Sequence, residues 1–247
     1  MNVLVTGSNG FIGKNLMDRL TADPSIQVIT HNKNNSKSDL QKSLDRSDTV
    51  FHLAGVNRSD SDSDFKDVNV ELTRLIVEHL CQSNHLIPVV FTSSTQAGND
   101  TIYGTTKAAA ERLLIDYVTE FKGKSRIYRL PNVFGKWSRP DYNSVVATFC
   151  FRVARDLGVH MPNPSSKLRL ICVTDVIDQL LQELKFASSF QLFGEVEPVF
   201  ETTVGEVYSI IKAFRNPNIK FEFRKEISQL VGNLKDTYSY FSEQVEN

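Results

Sequence analysis

Tyr103 and Lys107 stand four residues apart in the run Tyr103-Gly104-Thr105-Thr106-Lys107. On a helix that spacing puts a phenol and an ammonium on one face. A phenol titrates at about 10, too high for efficient proton transfer near neutrality. An ammonium beside it favours the phenolate and lowers that value. The same ammonium can hold the ribose hydroxyls of a dinucleotide. Upstream, Ser94 ends the run Val89-Val90-Phe91-Thr92-Ser93-Ser94, where a hydroxyl can hydrogen-bond a substrate carbonyl oxygen. Ser94, Tyr103 and Lys107 together could move a proton at that oxygen while hydride passes to or from a nicotinamide.

A second group of residues suits a dinucleotide. Thr6-Gly7-Ser8-Asn9-Gly10-Phe11-Ile12-Gly13 follows the first apolar run and opens a helical pattern. Gly7 permits a tight strand-to-helix turn, Gly10 lets a pyrophosphate approach the backbone, and Gly13 lets the helix pack closely. The helix N-terminus offers free N–H groups and the positive end of a dipole. After the second apolar run the chain reads Thr30-His31-Asn32-Lys33, with no carboxylate to take ribose hydroxyls. His31 and Lys33 suit a 2′-phosphate instead, which favours NADP over NAD.

Elements must hold these groups in place. Val3–Val5, Ile26–Ile29, Thr49–Leu53, Ile87–Phe91 and Ser125–Leu130 read as strands. Phe11–Leu20, Leu40–Leu44, Asn69–Leu80 and Ala108–Phe121 read as helices. Their alternation predicts an α/β fold, a parallel sheet with helices on both faces. Further on, Asn143–Leu157 and Val173–Leu184 look helical, with Thr174 as a candidate N-cap, and Thr203–Glu206 has a capping-box pattern. Phe190–Phe193, Val199–Glu201 and Ile219–Phe223 are strand-like. The acidic run Ser59–Asp64 reads as a solvated loop.

Composition sets limits. The 247 residues carry 28 Lys plus Arg against 29 Asp plus Glu, so no basic excess points to nucleic acid. No apolar run is long enough to span a membrane, and the N-terminus does not read as a signal peptide. Three widely spaced cysteines suit reduced thiols in the cytoplasm. The scattered histidines make no metal-ligand spacing, so no metal is expected.

These motifs, with His52-Leu53-Ala54-Gly55 and Arg129-Leu130-Pro131-Asn132-Val133-Phe134-Gly135, resemble the extended short-chain dehydrogenase/reductase family of NAD(P)-dependent nucleotide-sugar epimerases, dehydratases and reductases. The resemblance implies a Rossmann-type doubly wound parallel sheet with a small C-terminal substrate lobe. Residues from about 1 to 133 would hold the cofactor and those from about 134 to 247 the substrate. It implies that Ser94, Tyr103 and Lys107 are catalytic. It places the cofactor against Gly7, Asn9, Gly10, Phe11, Ile12, Gly13, Leu53, Ala54 and Gly55, with His31 and Lys33 nearby. Asn132 would contact substrate, and Asn69 would either do so or cap its helix.

The run Gly135–Cys150, with His52–Arg58, is similar to CapF-type reductases of capsular polysaccharide synthesis. That likeness implies NADPH-dependent reduction of a 4-keto UDP-amino sugar. Lys136 and Arg139 would suit its pyrophosphate, and Trp137 or Tyr142 a sugar or uracil face. It also implies a homodimer through the Asn69 and Ala108 helices. CapF-type chains continue into a C-terminal cupin that performs a 3-epimerisation. No HxH-plus-Glu cluster follows Asn143, so the expectation is a reductase alone or a shortened chain, with the 3-epimerase a separate partner. The short His31–Asp48 interval predicts that the usual third strand is missing or rudimentary. Two alternatives stay open: a 4-epimerase or dehydratase with tightly bound NAD, and a non-catalytic NADP-binding protein.

Overall fold

The computed structural model describes residues 1–185, 191–216 and 224–244. In chain order, β1 (Asn2–Thr6), α1 (Phe11–Leu20), β2 (Gln27–His31), α2 (Lys37–Asp45) and β3 (Thr49–His52) come first. Then α3 (Asp62–Lys66) runs through a π-helical turn, Asp67–Glu71, into α4 (Leu72–Gln82). β4 (Val89–Ser94), α5 (Ile102–Thr119), β5 (Ser125–Leu130), β6 (Asn132–Phe134) and α6 (Val145–Ala154) follow. The remainder is β7 (Lys167–Cys172), α7 (Val173–Gln182), β8 (Phe193–Gly194), β9 (Phe200–Thr203), α8 (Val204–Arg215), a 3₁₀ turn at Lys225–Ile227, and α9 (Ser228–Glu243).

The chain divides into two compact units, Met1–Leu130 with Ile177–Val196, and Pro131–Val176 with Glu197–Asn247. Ile177–Val196 falls in the first unit, where β8 pairs with β5.

The first unit is built on a parallel six-stranded sheet of order β2-β1-β3-β4-β5-β8. This is the expected Rossmann-type fold. β1 is buried from Val3 to Thr6, as a central parallel strand must be. The order reverses at β1, with β2 on one side and β3 on the other, and such a reversal opens a crevice at the strands' carboxyl ends. Only α2 links β2 to β3, and among the described residues no strand lies beyond β2, so the short His31–Asp48 interval does lack its own strand. Leu40, Leu44, Ile76, Leu80, Ala110 and Leu114 bring α2, α4 and α5 onto Leu4, Val50, Val89, Phe91 and Ile127 of the sheet.

The second unit has a small sheet, β6-β7-β9, parallel at β6-β7 and antiparallel at β7-β9. α6, α8 and α9 enclose its core through Phe149, Cys150, Ile210, Ile211, Leu230 and Leu234.

Several local expectations need correction. The acidic run is not all loop: Asp62 and Asp64 occupy the first turn of α3, where carboxylates complement the helix dipole. Thr174 lies inside α7 and caps nothing; its hydroxyl donates to Cys172 Sγ. Thr203 does cap α8 by accepting from Glu206 N, but the Glu206 carboxylate takes Thr202 Oγ1, so the reciprocal half of the box is absent. The strand-like run Ile219–Phe223 lies outside the described residues.

Candidate active site

The glycine turn forms first. Gly7 adopts φ +72°, and a Cβ there would stand 2.6 Å from Ala54 N. A Cβ on Gly13 would lie 2.1 Å from Gly7 O, so Gly13 makes room for the turn itself, where closer packing on the sheet was expected. Gly10 is the N-cap of α1 and makes no side-chain cap, which leaves the first N–H groups of the helix open near Asn9, Phe11 and Ile12. The residues fit a dinucleotide pyrophosphate: the backbone is bare where it must be approached, and Leu53-Ala54-Gly55 packs directly beside it.

His52 ends β3 and is fully buried. Its Nδ1 is 2.7 Å from Thr6 Oγ1 and its Nε2 2.8 Å from Thr73 Oγ1, and the ring stacks on Phe91. Burial, then the Lys107 charge, pulls it down to about 3, so it is neutral and braces β1 to α4.

Asn69 does not cap a helix. It sits in the π-helical turn, 1% exposed, where its amide accepts from Val56 N at 2.8 Å and donates to Val56 O and Thr106 Oγ1. Such a turn inserts one extra residue into the helical register and re-aims a side chain. Here the side chain ties the Gly55-Val56 loop to α5.

α5 carries the Tyr-Lys pair, and it starts earlier than the expected Ala108. Thr101 caps it by accepting from Gly104 N at 3.0 Å, and Asn99 Oδ1 holds Thr101. Gly104 is required, since a Cβ would meet Asn99 Oδ1 at 1.8 Å. Tyr103 thus lies in the first turn and Lys107 one turn later. Ser94, the last residue of β4, accepts from Gln96 N at 3.1 Å, and its hydroxyl lies near enough to the Tyr103 phenol to oppose the upward shift of the phenol's pKa. The structure therefore brings Ser94 and Tyr103 together.

Lys107 behaves differently from expectation. Its Nζ donates to Thr92 O at 2.9 Å and lies over the Phe91 ring, and the residue is 4% exposed. Burial lowers it to about 8, opposed by Glu111. Tyr103 is raised, not lowered, because desolvation outweighs the Ser94 hydrogen bond. Burial thus favours the neutral phenol. A Cβ on Gly55 would stand 3.1 Å from Lys107 Nζ and 3.3 Å from Asn69 Oδ1, so a side chain there would press on both.

His31 is 7% exposed at the end of β2, and burial lowers its pKa. Its Nδ1 is buried and unpartnered, and burial disfavours the charged imidazole. Lys33 is exposed in the loop that follows.

The second unit holds the other expected residues. Asn132 is exposed on β6 and donates to Arg169 O at 3.3 Å. Arg139 is exposed and stacks on Tyr142 at 4.6 Å, while Lys136 lies over Trp137 at 4.1 Å. The two aromatic faces expected to meet substrate thus carry cations of their own.

Sequence reasoning missed Glu111 and Ser93, and it gave Arg129 no role of its own. Glu111 is 2% exposed and accepts from Ser93 Oγ and from Arg129. The signal was present: Glu111 continues the four-residue step of Tyr103 and Lys107. Among the described residues no cluster could hold a metal ion, and no helix is long and apolar enough to cross a membrane.

Comparisons with known proteins bear on this site. Residues 3–190 match the NAD dependent epimerase/dehydratase family. A UDP-2-acetamido-2,6-beta-L-arabino-hexul-4-ose reductase of Pseudomonas aeruginosa is 38% identical over 98% of this chain and 65% of its own length. The crystal structure of the capsular polysaccharide assembling protein CapF from Staphylococcus aureus superposes with a TM-score of 0.83 at 29% identity, over 99% of this chain and 66% of that one. This chain thus spans just under two thirds of the length of both. A UDP-glucose 4-epimerase from Thermotoga maritima shares the fold, with a TM-score of 0.84 at 20% identity over 99% and 100% of the two chains.

Proposed function

The chain belongs to the NAD dependent epimerase/dehydratase family, and from that premise we propose that it is an NADPH-dependent reductase of a 4-keto nucleotide sugar, a UDP-linked 2-acetamido-6-deoxyhexos-4-ulose of capsule or O-antigen synthesis. The observation that carries this reading is the placement of Ser94, at the end of β4, beside Tyr103, in the first turn of α5, where burial favours the protonated phenol. Reduction of a ketone needs an acid at the developing alkoxide. An enzyme that begins by oxidising an alcohol needs a base there. The 38% identity to a 4-keto sugar reductase supports the substrate class.

The residues divide the work. Gly7, Asn9, Gly10, Phe11, Ile12 and Gly13 receive the pyrophosphate, with Leu53, Ala54 and Gly55 beside it. His31 and Lys33 face the adenosine side, where Lys33 is the cation for a 2′-phosphate. When bound, NADPH supplies the hydride. Ser94 donates a hydrogen bond to the C4 ketone oxygen and Tyr103 delivers a proton to it. Lys107 holds the nicotinamide ribose and, as an ammonium, eases loss of the phenol proton. Asn132 and Arg139 would bind the UDP-sugar. Asn69 supports the loop that carries Gly55, and its role toward substrate rests on the resemblance.

Free thiols at Cys81, Cys150 and Cys172 fit a cytoplasmic enzyme. The homodimer and the separate 3-epimerase rest on the resemblance alone.

A panel of 4-keto UDP- and dTDP-sugars with NADPH and NADH, followed by loss of nicotinamide absorbance, tests the proposal. Turnover with the UDP-linked acetamido ketosugar and NADPH is expected. Stoichiometric NAD released on denaturing the purified protein, with no net NADPH consumption, would favour the epimerase. NADPH binding without turnover on any sugar would favour a non-catalytic role.

A further inference from the structure

Tyr103, Lys107 and Glu111 follow one another at four-residue steps on α5, and Lys107 and Glu111 are both buried. A carboxylate so deep is tolerated only when its oxygens are satisfied. Ser93 Oγ donates to Oε1 at 2.5 Å, Arg129 Nε to Oε1 at 3.0 Å, and Arg129 Nη2 to Oε2 at 2.6 Å. Ser93 and Ser94 are neighbours on β4, and strand alternation sends their hydroxyls to opposite faces. Ser94 serves Tyr103 and Ser93 serves Glu111. The proposed chemistry uses none of Ser93, Glu111 and Arg129.

We propose that Glu111 is a positioning residue that keeps Lys107 protonated inside the fold, and that Arg129 sets how strongly it does so. This rests on the reading of Lys107 as the ammonium that serves ribose and Tyr103. Several groups surround Lys107. Tyr103 and Glu111 lie on its own helix, and the Phe91 ring and Thr92 carbonyl come from β4. His52 comes from β3 and feels the Lys107 charge, and His31 at the end of β2 acts on His52. The neutral Asn69 amide lies beside the same face of Gly55, its Oδ1 3.3 Å from where a Cβ would stand and Lys107 Nζ 3.1 Å from it. Burial pulls Lys107 down, and Glu111 pulls it back. The Arg129 guanidinium offsets part of the Glu111 charge from β5. Removing Glu111 and removing Arg129 should therefore move Lys107 in opposite directions. A bridge that merely joined α5 to β5 would give no such opposition.

The test is a ¹⁵N NMR titration of the lysine side chains in the full chain without cofactor, with Lys107 assigned by its loss in Lys107→Met. The wild-type midpoint should lie at about 8. Glu111→Gln keeps the shape and should lower it by about 1 unit or more, the scale of an adjacent opposite charge. Arg129→Gln should raise it. An unchanged midpoint in folded Glu111→Gln overturns the proposal, as does displacement of both variants in one direction. Should Glu111→Gln not fold, Arg129→Gln decides alone, its side chain being 49% exposed. An upward displacement supports the proposal, and none or a downward one overturns it. Neither substrate nor cofactor is present, so this result is independent of whether the chain reduces a ketosugar.

Discussion

Lys107 Nζ donates to the carbonyl oxygen of Thr92 at 2.9 Å, two residues along β4 from Ser94. The bond holds an ammonium in the interior, where its pKa falls from 10.5 to about 8. Between those values the unfolded chain keeps a proton that the folded chain has released. Stability from this group therefore rises with pH across that window. Lys107→Met lacks the titration. In urea unfolding at pH 8 and pH 10, the stability of Lys107→Met relative to wild type should fall as pH rises, by at most about 1.4 kcal/mol per pH unit. A constant difference would contradict the buried ammonium.

His52 predicts acid sensitivity. Its pKa falls from 6.5 unfolded to about 3 folded, so its contribution is complete above pH 6.5. As pH drops from 6.5 toward 3 the unfolded chain takes up a proton that the folded one refuses. Wild-type stability should fall through that range by up to about 1.4 kcal/mol per unit from this residue. His52→Asn should show a flatter profile when urea midpoints are compared from pH 7 to pH 4. Parallel profiles would remove His52 as the cause.

Gly13→Ala should cripple the phosphate turn. Its Cβ would press on Gly7 O, so the start of α1 must shift. Overpacking of this kind costs about 1–3 kcal/mol, and NADPH affinity should fall about tenfold or more. Gly232→Ala on α9 is the control, with nothing within 4 Å of its Cβ, and should leave NADPH binding alone. Isothermal titration of both proteins reads the contrast. Equal affinities would show that the turn does not receive the cofactor.

Thr101→Ala should loosen the helix that presents Tyr103. The lost cap to Gly104 N costs about 1 kcal/mol. Thermal denaturation should show a lower midpoint. A midpoint equal to wild type would mean that Asn99 alone holds the helix start.

The sheet was legible because buried parallel strands such as Val3-Leu4-Val5 read as apolar runs, and the glycine turn because bare backbone needs glycine. The Tyr103–Lys107 step was legible because helical period is local. What depends on burial was not. Nothing in the spelling Tyr-x-x-x-Lys says that desolvation raises Tyr103 and that Lys107 turns to Thr92. The burial of His31, 7% exposed, is likewise a tertiary property that its place after the second strand does not spell out. Asn69 looked like a cap or a ligand because a π-helical turn leaves no periodic trace in one sequence. The acidic run looked like loop because its sequence alone does not show that Asp62 and Asp64 start a helix. Glu111 escaped notice because its partners, Ser93 and Arg129, come from other strands.

The central claim is that Tyr103 donates the proton. NADPH oxidation by wild type and Tyr103→Phe, with a UDP-linked 2-acetamido-6-deoxyhexos-4-ulose, tests it most directly. Loss of a general acid predicts a fall in kcat of about 10²–10⁴-fold, with NADPH binding retained. Wild-type turnover in Tyr103→Phe would contradict the account.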